Sequence, residues 1–236
     1  PSPPLDLQKA VVKATHVQGL PAVRHAVSFQ GAVDLLSCEL DGPTHSFIYK
    51  PASDQHIVPA KRNNASHGPT LTVCASQTRE GDEMQVKFHN DLLAKRMLFD
   101  STPRQPLGLG NDESRVGNAC RSARDMCTAG ISMMVGSDSS GQVRGSQFGL
   151  GVYMEILAMI HKAGIVIDVL IGATSLIADR FGFDDKGRIE VGRNADLVPI
   201  KGDVREFLAK EENLCLPMCG VWRDGVALHV YEDVVN

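Results

Sequence analysis

The sequence predicts an α/β fold whose first part alternates strands and helices and whose last part is a small β module. Segments that favour strands and helices alternate between residues 10 and 181, which is typical of a parallel sheet or barrel. From residue 183 onward, short strand-like runs are separated by turn residues. The 236 residues are 43% hydrophobic and 22% charged, so the chain can form a buried core.

The first elements are short apolar runs between turn residues. Residues 10–17 are rich in β-branched side chains and stop before Gly19, so we predict a strand there, with a helix as the alternative. Apolar residues at helical spacing predict a helix over 22–27, and an apolar run predicts a strand over 32–36. The segment 39–68 is loop-like because Gly and Pro recur in it, with some helix within it as the alternative.

The later elements are longer and their patterns are clearer. In chain order, we predict a strand over 69–74, a helix over about 82–99, a helix over 114–128, a strand over 131–135, a helix over 148–163 and at least one helix within 166–181. In the tail, 188–192 and 195–200 favour short strands, and Asp224-Gly225 between apolar residues predicts a hairpin.

Charge and cysteine content narrow the class of protein. Lys and Arg number 24 and Asp and Glu 28, which gives a net charge of −4 and no electrostatic footprint for nucleic acid or an anionic membrane. No apolar run has the length of a membrane span. Six cysteines are too sparse for a disulfide scaffold, and Cys215 and Cys219 lack a second pair at zinc-finger spacing. We therefore expect a cytoplasmic protein.

Three residues combine a predicted strand end with metal-ligand chemistry. His16 lies near the end of the first predicted strand, Cys38 just past the second, and Asp138 just past the strand over 131–135. Functional side chains of parallel α/β folds follow the carboxyl ends of strands. Imidazole, thiolate and carboxylate suit a zinc-like ion, although each residue also has an ordinary structural explanation as a surface histidine, a buried thiol or a turn aspartate.

The sequence resembles metal-dependent amidohydrolases, and most closely the imidazolonepropionase-like group. The matching segments occur in the family's order: 130–139, Glu155, 163–164, 172–174, 187–192, 195–198 and 221–225. Upstream, 15–19 resembles the fifth barrel strand, 22–27 the helix after it, 31–38 the sixth strand and 69–73 the seventh. The resemblance thus covers only the carboxyl-terminal part of such an enzyme.

The resemblance implies a fold, a domain division and a set of site residues. The fold is the C-terminal half of a TIM-like (β/α)8 barrel over residues 1–182, followed by part of a small β-sandwich over 183–236. His16 becomes a metal ligand, and Asp138 binds metal and acts as the general base. His25 falls in the predicted helix and takes no role. The implied cofactor is a divalent metal, zinc by preference, as one or two ions.

The sequence also departs from the family pattern. Cys38 stands where the family's sixth strand ends in a metal-binding histidine; cysteine can ligate zinc, and His45 is the fallback ligand. The family's first strand supplies a His-x-His pair, which this sequence lacks. We therefore expect the amino-terminal barrel half to be a separate chain or a missing part of the same chain, with self-pairing as the alternative, because a half barrel leaves strand edges unpaired.

The implied activity is hydrolysis of an amide, peptide-like or cyclic amide bond in a small molecule, with classification among enzymes that act on carbon–nitrogen bonds other than peptide bonds. Asp138 would take the proton of a metal-activated water and pass it to the leaving nitrogen. The alternatives are a non-catalytic barrel-half subunit or binding module, and an isomerase or lyase on the same fold.

Overall fold

The computed structural model describes residues 3–26, 28–94, 108, 110–139, 148, 150–213 and 216–230. The last residues of the helix predicted over 82–99 and the cysteine Cys215 lie outside the described residues.

Helices and short strands alternate along the chain. The order is α1 (Leu5–Val17), β1 (Val23–His25), α2 (Phe29–Ser37), β2 (Gly42–Thr44), α3 (Asp54–Arg62), β3 (Ser66–His67), α4 (Leu71–Ser76), α5 (Arg79–Ala94), α6 (Val116–Thr128) and β4 (Ser132–Met133). It continues with α7 (Leu150–Leu157), which runs into a π-helical turn (Ala158–Lys162), then α8 (Ile167–Gly172), α9 (Ser175–Phe181), α10 (Val204–Leu208), β5 (Gly220–Arg223) and β6 (Val226–Val230).

The first four strands are parallel neighbours in chain order. β1 pairs with β2, and β3 pairs with β4, each as a two-stranded parallel ladder. A parallel bridge between Thr44 and Gly68 and the bond from the His45 N–H to the Gly68 carbonyl (3.1 Å) connect β2 to β3. The α/β class is therefore confirmed, while the ladders of the described residues are small and do not close into a barrel.

Four of the predicted early elements are wrong. Residues 10–17 belong to helix α1, 22–27 contain strand β1, 32–36 lie in helix α2, and 69–74 run into helix α4. The alternation is correct, but its phase is displaced by one element. The strands are only two or three residues long, so they leave too few positions for an alternating apolar pattern.

Local sequence explains why the helices form where the strands were expected. In α1 no Gly or Pro interrupts the thirteen residues, and Gln8 and Val12, four apart, are both buried on one face. Helix α2 begins at Ser28, whose hydroxyl accepts a hydrogen bond from the Gly31 N–H (3.1 Å) as an N-cap. Its buried residues Ala32, Leu35 and Leu36 then recur at helical spacing.

The later predictions hold better. The helix over 114–128, the strand over 131–135 and the helices over 148–163 and 166–181 correspond to α6, β4, α7 with its π-helical turn, and α8 with α9. The core cluster around them contains Leu71, Met126, Met133 and Met159, all buried. These residues pack α4, α6 and the π-helical turn around β4. The segment that follows β4 therefore starts from a well-packed part of the core.

A close backbone approach fixes the position of β4. The Val135 N–H donates to the Gly172 carbonyl (3.0 Å), which joins the end of this strand to α8. A Cβ added at Gly172 would lie 2.2 Å from the carbonyl oxygen of Met133. Only glycine therefore allows α8 to approach β4 this closely.

The tail contains the predicted hairpin. β5 and β6 pair antiparallel around Asp224-Gly225. The strand predicted over 195–200 is present only as single bridges from Leu197 to Trp222 and from Ile200 to Met218, and the strand predicted over 188–192 is wrong because these residues form turns. Within the described residues, no helix combines the length and the apolar character of a membrane crossing. The cytoplasmic location stays a prediction.

Candidate active site

Three polar side chains meet at the carboxyl end of the parallel strands. His25 is the last residue of β1, His45 follows β2 directly, and Asp138 lies in the segment that follows β4. Parallel strands present their carboxyl ends at one edge, so residues that are 20 and 93 positions apart in the chain come together there.

The contacts between these side chains are short and continuous. Nε2 of His45 lies 2.6 Å from Nδ1 of His25, and the two rings meet edge to face with their centroids 4.4 Å apart. The same Nε2 lies 3.9 Å from Oδ2 of Asp138. On the other side of the ring, Nδ1 of His45 is 2.5 Å from the hydroxyl of Thr70. His45 is thus the central member of the group.

Backbone conformation marks the same place. His45, Thr70 and Asp138 have φ angles of 78°, 47° and 49°, which is the left-handed region that non-glycine residues rarely occupy. Each such residue costs about 1–3 kcal/mol, so the surrounding structure must hold it. Three left-handed residues on one contact chain are an observation that points to a functional site.

Burial divides the group into a dry side and a wet side. His45 is 4% exposed, whereas His25 and the carboxylate of Asp138 reach solvent. Burial lowers the pKa of His45 to about 4, His25 adds to the effect, and Asp138 opposes it. His45 is therefore neutral at pH 7, so one of its two ring nitrogens carries a proton and the other a lone pair.

A further buried histidine supports this edge from β3. His67 is fully buried, its Nε2 lies 2.9 Å from the hydroxyl of Ser46, and burial lowers its pKa to about 4. Ser46 is the neighbour of His45 in the chain. His67 thus packs behind the site as a neutral residue.

The amino end of α4 is held by a buried carboxylate from α7. Glu155 accepts hydrogen bonds from the backbone N–H groups of Leu71 and Thr72 (2.9 Å each) and from the Thr72 hydroxyl (3.2 Å). Burial raises the pKa of Glu155 to about 7, while these three hydrogen bonds favour the charged form. The carboxylate satisfies N–H groups that a helix end otherwise leaves unpaired.

Two of the three predicted site residues lie elsewhere. His16 is in the last turn of α1, where its Nε2 bonds Oδ2 of Asp41 (2.7 Å), and Cys38 is the C-cap of α2. Both precede a strand, so they lie at the amino end of β1 and β2, opposite to Asp138. The prediction that His16 and Cys38 follow strands is wrong, because both end helices.

Sequence analysis missed His25 and undervalued His45. Gly42-Pro43 indicated a loop, but these residues form β2, and His45 follows it. The sequence did contain one signal. His25 and His45 each lie at or just after the end of a short segment between two helices. A three-residue strand carries no periodicity that would have separated them from loop histidines.

The chemistry of the donor set fits a divalent metal ion. Two imidazoles and a carboxylate are the ligands that zinc prefers, and neutral His45 can bind a cation without first losing a proton. Among the described residues, no set of three or more His, Cys, Asp and Glu side chains is arranged as a ready metal site. The bond between His25 and His45 occupies the two nitrogens that would act as ligands.

Comparison with protein-family profiles shows to which family this chain belongs. The sequence profile of the amidohydrolase family matches residues 65–231, which is more than half of the chain. The chain belongs to the amidohydrolase family. The matched range includes Thr70, Asp138 and Glu155, while His25 and His45 precede it. No curated protein sequence matches this amidohydrolase-family chain.

Solved structures with the same fold are about twice as long. A Xaa-Pro dipeptidase with methionine bound in its active site has a TM-score of 0.68 at 17% identity, over 97% of this chain and 50% of its own. A prolidase complexed with N-methylphosphonate-L-proline gives 0.66 at 18% identity, over 98% and 50%. An ochratoxinase from A. niger gives 0.64 at 12% identity, over 98% and 47%. This member of the amidohydrolase family thus spans about half the length of these chains.

Proposed function

We propose that this chain supplies the carboxyl-terminal part of a metal-dependent hydrolase of the amidohydrolase type, which cleaves a carbon–nitrogen bond of a small-molecule substrate. The observation that carries the proposal is the convergence of His25, His45 and Asp138 at the carboxyl ends of parallel strands. These three residues replace the set His16, Cys38 and Asp138 that the sequence predicted, because His16 and Cys38 lie at the opposite strand ends.

The proposed role of each of the three residues follows from its position and its charge. His25 and His45 would hold a divalent ion, zinc by preference, through Nδ1 and Nε2, and Asp138 would contribute a carboxylate oxygen. When bound, such an ion lowers the pKa of a water molecule and polarises a carbonyl group. Asp138 reaches solvent, so its carboxylate can accept the proton of the attacking water and deliver it to the leaving nitrogen.

The substrate proposal follows from the structural neighbours. Two of the three described above are named for cleavage at proline, so dipeptides with a carboxyl-terminal proline are the first substrates to assay, followed by N-acyl amino acids and cyclic amides. Cleavage of a dipeptide would place the enzyme among peptidases, whereas the sequence predicted a hydrolase of other carbon–nitrogen bonds.

Surface features support a proposal that a second polypeptide segment completes the site. The described residues of β1 pair with β2 only, and the segment from α1 to β1 contains the exposed apolar residues Leu7, Val11, Val17, Leu20 and Val23. Further exposed apolar residues lie in the tail, among them Ile189 and Val191. Apolar surface of this kind marks contact sites. An amino-terminal barrel half would cover it and add ligands, and a homo-oligomer is the alternative.

The proposed division into a barrel half, 1–182, and a β-sandwich segment, 183–236, follows the same reasoning. The parallel strands β1 to β4 and their helices all precede residue 182, and the antiparallel hairpin of β5 and β6 follows it.

Native mass spectrometry followed by an activity assay tests the proposal. We expect the 236-residue chain to carry one or two zinc ions and to form a defined complex with a partner segment or with itself. In that complex, Asp138→Asn should abolish hydrolysis of the amide panel, whereas Asp168→Asn, which changes an exposed aspartate on α8, should not. Turnover that survives Asp138→Asn would overturn the catalytic assignment, and a metal-free chain would favour a binding module.

A further inference from the structure

Thr70 occupies a conformation that its residue type disfavours. It lies between β3 and α4, is 2% exposed, and has φ 47° and ψ 51°. A β-branched residue in the left-handed region is a genuine outlier. Its hydroxyl oxygen lies 2.5 Å from Nδ1 of His45, so this conformation brings the hydroxyl to the histidine.

The hydroxyl is released from the task that threonine usually has at this position. Thr70 is the N-cap of α4, where its side chain would ordinarily accept a hydrogen bond from the first turn, but it makes no such bond. The carboxylate of Glu155 accepts from the Leu71 and Thr72 N–H groups instead. A buried residue of α7 therefore caps α4, and Thr70 remains available to His45.

Protonation of the two ring nitrogens of His45 is coupled. A neutral imidazole has one N–H and one lone pair, so the nitrogen that faces Thr70 determines the state of the nitrogen that faces the site. The Thr70 hydroxyl oxygen lies 2.5 Å from Nδ1 of His45 and carries two lone pairs, so it can accept a hydrogen bond from an N–H at that nitrogen.

The protein controls the tautomer of His45 more than that of His25, because the two residues differ in their exposure to solvent. His25 is exposed, so water can exchange the proton between its two nitrogens as a ligand requires. His45 is buried, and its two nitrogens face Thr70 and His25. Its tautomer must therefore be set by the protein.

We propose that Thr70 is a positioning residue that accepts a hydrogen bond from Nδ1–H of His45 and thereby presents the Nε2 lone pair to a divalent metal ion. The inference deepens the function proposed above and rests on it. Thr70 itself touches neither metal nor substrate; it fixes the tautomer and the orientation of a ligand, as partners of metal-binding histidines do.

The tautomer is read directly from the metal-free chain. In a long-range ¹H–¹⁵N correlation spectrum, with His45 assigned by its loss in His45→Gln, we expect Nδ1–H in the wild type. Thr70→Ser, which keeps the hydroxyl, should retain it. Thr70→Val keeps the shape and removes the hydroxyl, so His45 should shift toward Nε2–H. Thr70→Gly also removes the hydroxyl but relieves the backbone strain, which provides a foldable variant if Thr70→Val does not fold.

Zinc affinity is the second measurement. In a chelator competition assay we expect Thr70→Val and Thr70→Gly to bind Zn²⁺ about 10–100-fold more weakly than the wild type, and Thr70→Ser to bind close to it. Thr78→Val is the matched control, because the buried Thr78 hydroxyl bonds Ala75 and Gly81 and not a histidine. It should change neither measurement.

The two measurements separate this inference from the proposed function. An Nε2–H tautomer in the wild type, or an unchanged Nδ1–H tautomer in Thr70→Val and Thr70→Gly, would overturn the role of Thr70. A tautomer shift in a chain that binds no zinc would support the contact with Thr70 and contradict the metal site.

Discussion

The rings of His25 and His45 meet at nearly a right angle, and their Nδ1 and Nε2 atoms share a hydrogen bond of 2.6 Å. His25 is the last residue of β1, and His45 directly follows the adjacent parallel strand β2. His45 is buried and His25 reaches solvent, so the pair extends from the protein interior to its surface.

Removal of either histidine should greatly weaken zinc binding. We expect His25→Ala and His45→Ala each to lower the Zn²⁺ affinity by about 100-fold or more, since loss of a ligand exceeds the effect of losing a ligand's partner. His16→Ala is the control, because His16 bonds Asp41 at the other strand ends and should leave the affinity unchanged. An equal loss in His16→Ala would contradict the proposed ligand set. Chelator competition measures all three.

Glu155 should be a major contributor to stability. Glu155→Gln replaces one acceptor oxygen by an amide donor that faces N–H groups of α4, so we expect a loss of about 1–3 kcal/mol in the free energy of unfolding. Glu83→Gln on α5 changes an exposed carboxylate and should cost less than about 0.5 kcal/mol. Urea unfolding at pH 7 measures both. If the two substitutions cost the same, the carboxylate of Glu155 does not cap α4.

His67 should make the fold sensitive to acid. Its pKa is lowered from 6.5 to about 4 by burial, so between these pH values the unfolded chain binds more protons and stability falls as the pH drops. From pH 7 to pH 5 this residue alone should remove about 2 kcal/mol. His67→Asn keeps a polar group near Ser46 but does not titrate, so its loss over the same interval should be smaller by that amount. His45 and Glu155 titrate in both the wild type and His67→Asn. Their contributions to the pH dependence of stability therefore cancel when the two proteins are compared.

Gly172 should tolerate no side chain. In Gly172→Ala the new Cβ meets the Met133 carbonyl, so β4 and α8 must separate, and we expect a loss of about 2–4 kcal/mol. Gly117→Ala in α6 is the matched control: its Cβ would meet nothing within 4 Å, and alanine favours a helix by up to about 1 kcal/mol. Thermal unfolding of the two variants should therefore shift in opposite directions. A neutral Gly172→Ala would show that β4 can move.

The sequence predicted the parts of the fold whose signals are long. The helix α6 and the strand after it were correctly predicted because thirteen helical residues end at Gly130 and an unbroken apolar run follows. Asp138 was consequently placed after the correct strand. The sequence also predicted that strands and helices alternate across α1 to α4, but it predicted strands where helices lie and a helix where β1 lies.

The rest could not be predicted because its determinants are tertiary. β1 and β2 are strands only because parallel neighbours bond them, and nothing in three residues distinguishes them from loop. The left-handed Thr70 depends on Glu155, which lies 85 positions later in the chain and contacts α4 only in the folded state. The resemblance placed the fifth barrel strand at residues 15–19, of which 15–17 belong to helix α1, so the sequence predicted His16 as the ligand and not His25, which ends β1.

The glutamate that caps α4 also affects the order in which the chain folds. Its bonds to Leu71 and Thr72 span 84 and 83 positions, so the first turn of α4 keeps unpaired N–H groups until α7 docks. Contacts of such long sequence separation form late, since the intervening loop must first be closed. On a ribosome, His25 and His45 would emerge well before the residue that secures Thr70. The hydrogen-bonded arrangement around His45 should therefore mature only after Glu155 has been synthesised and buried.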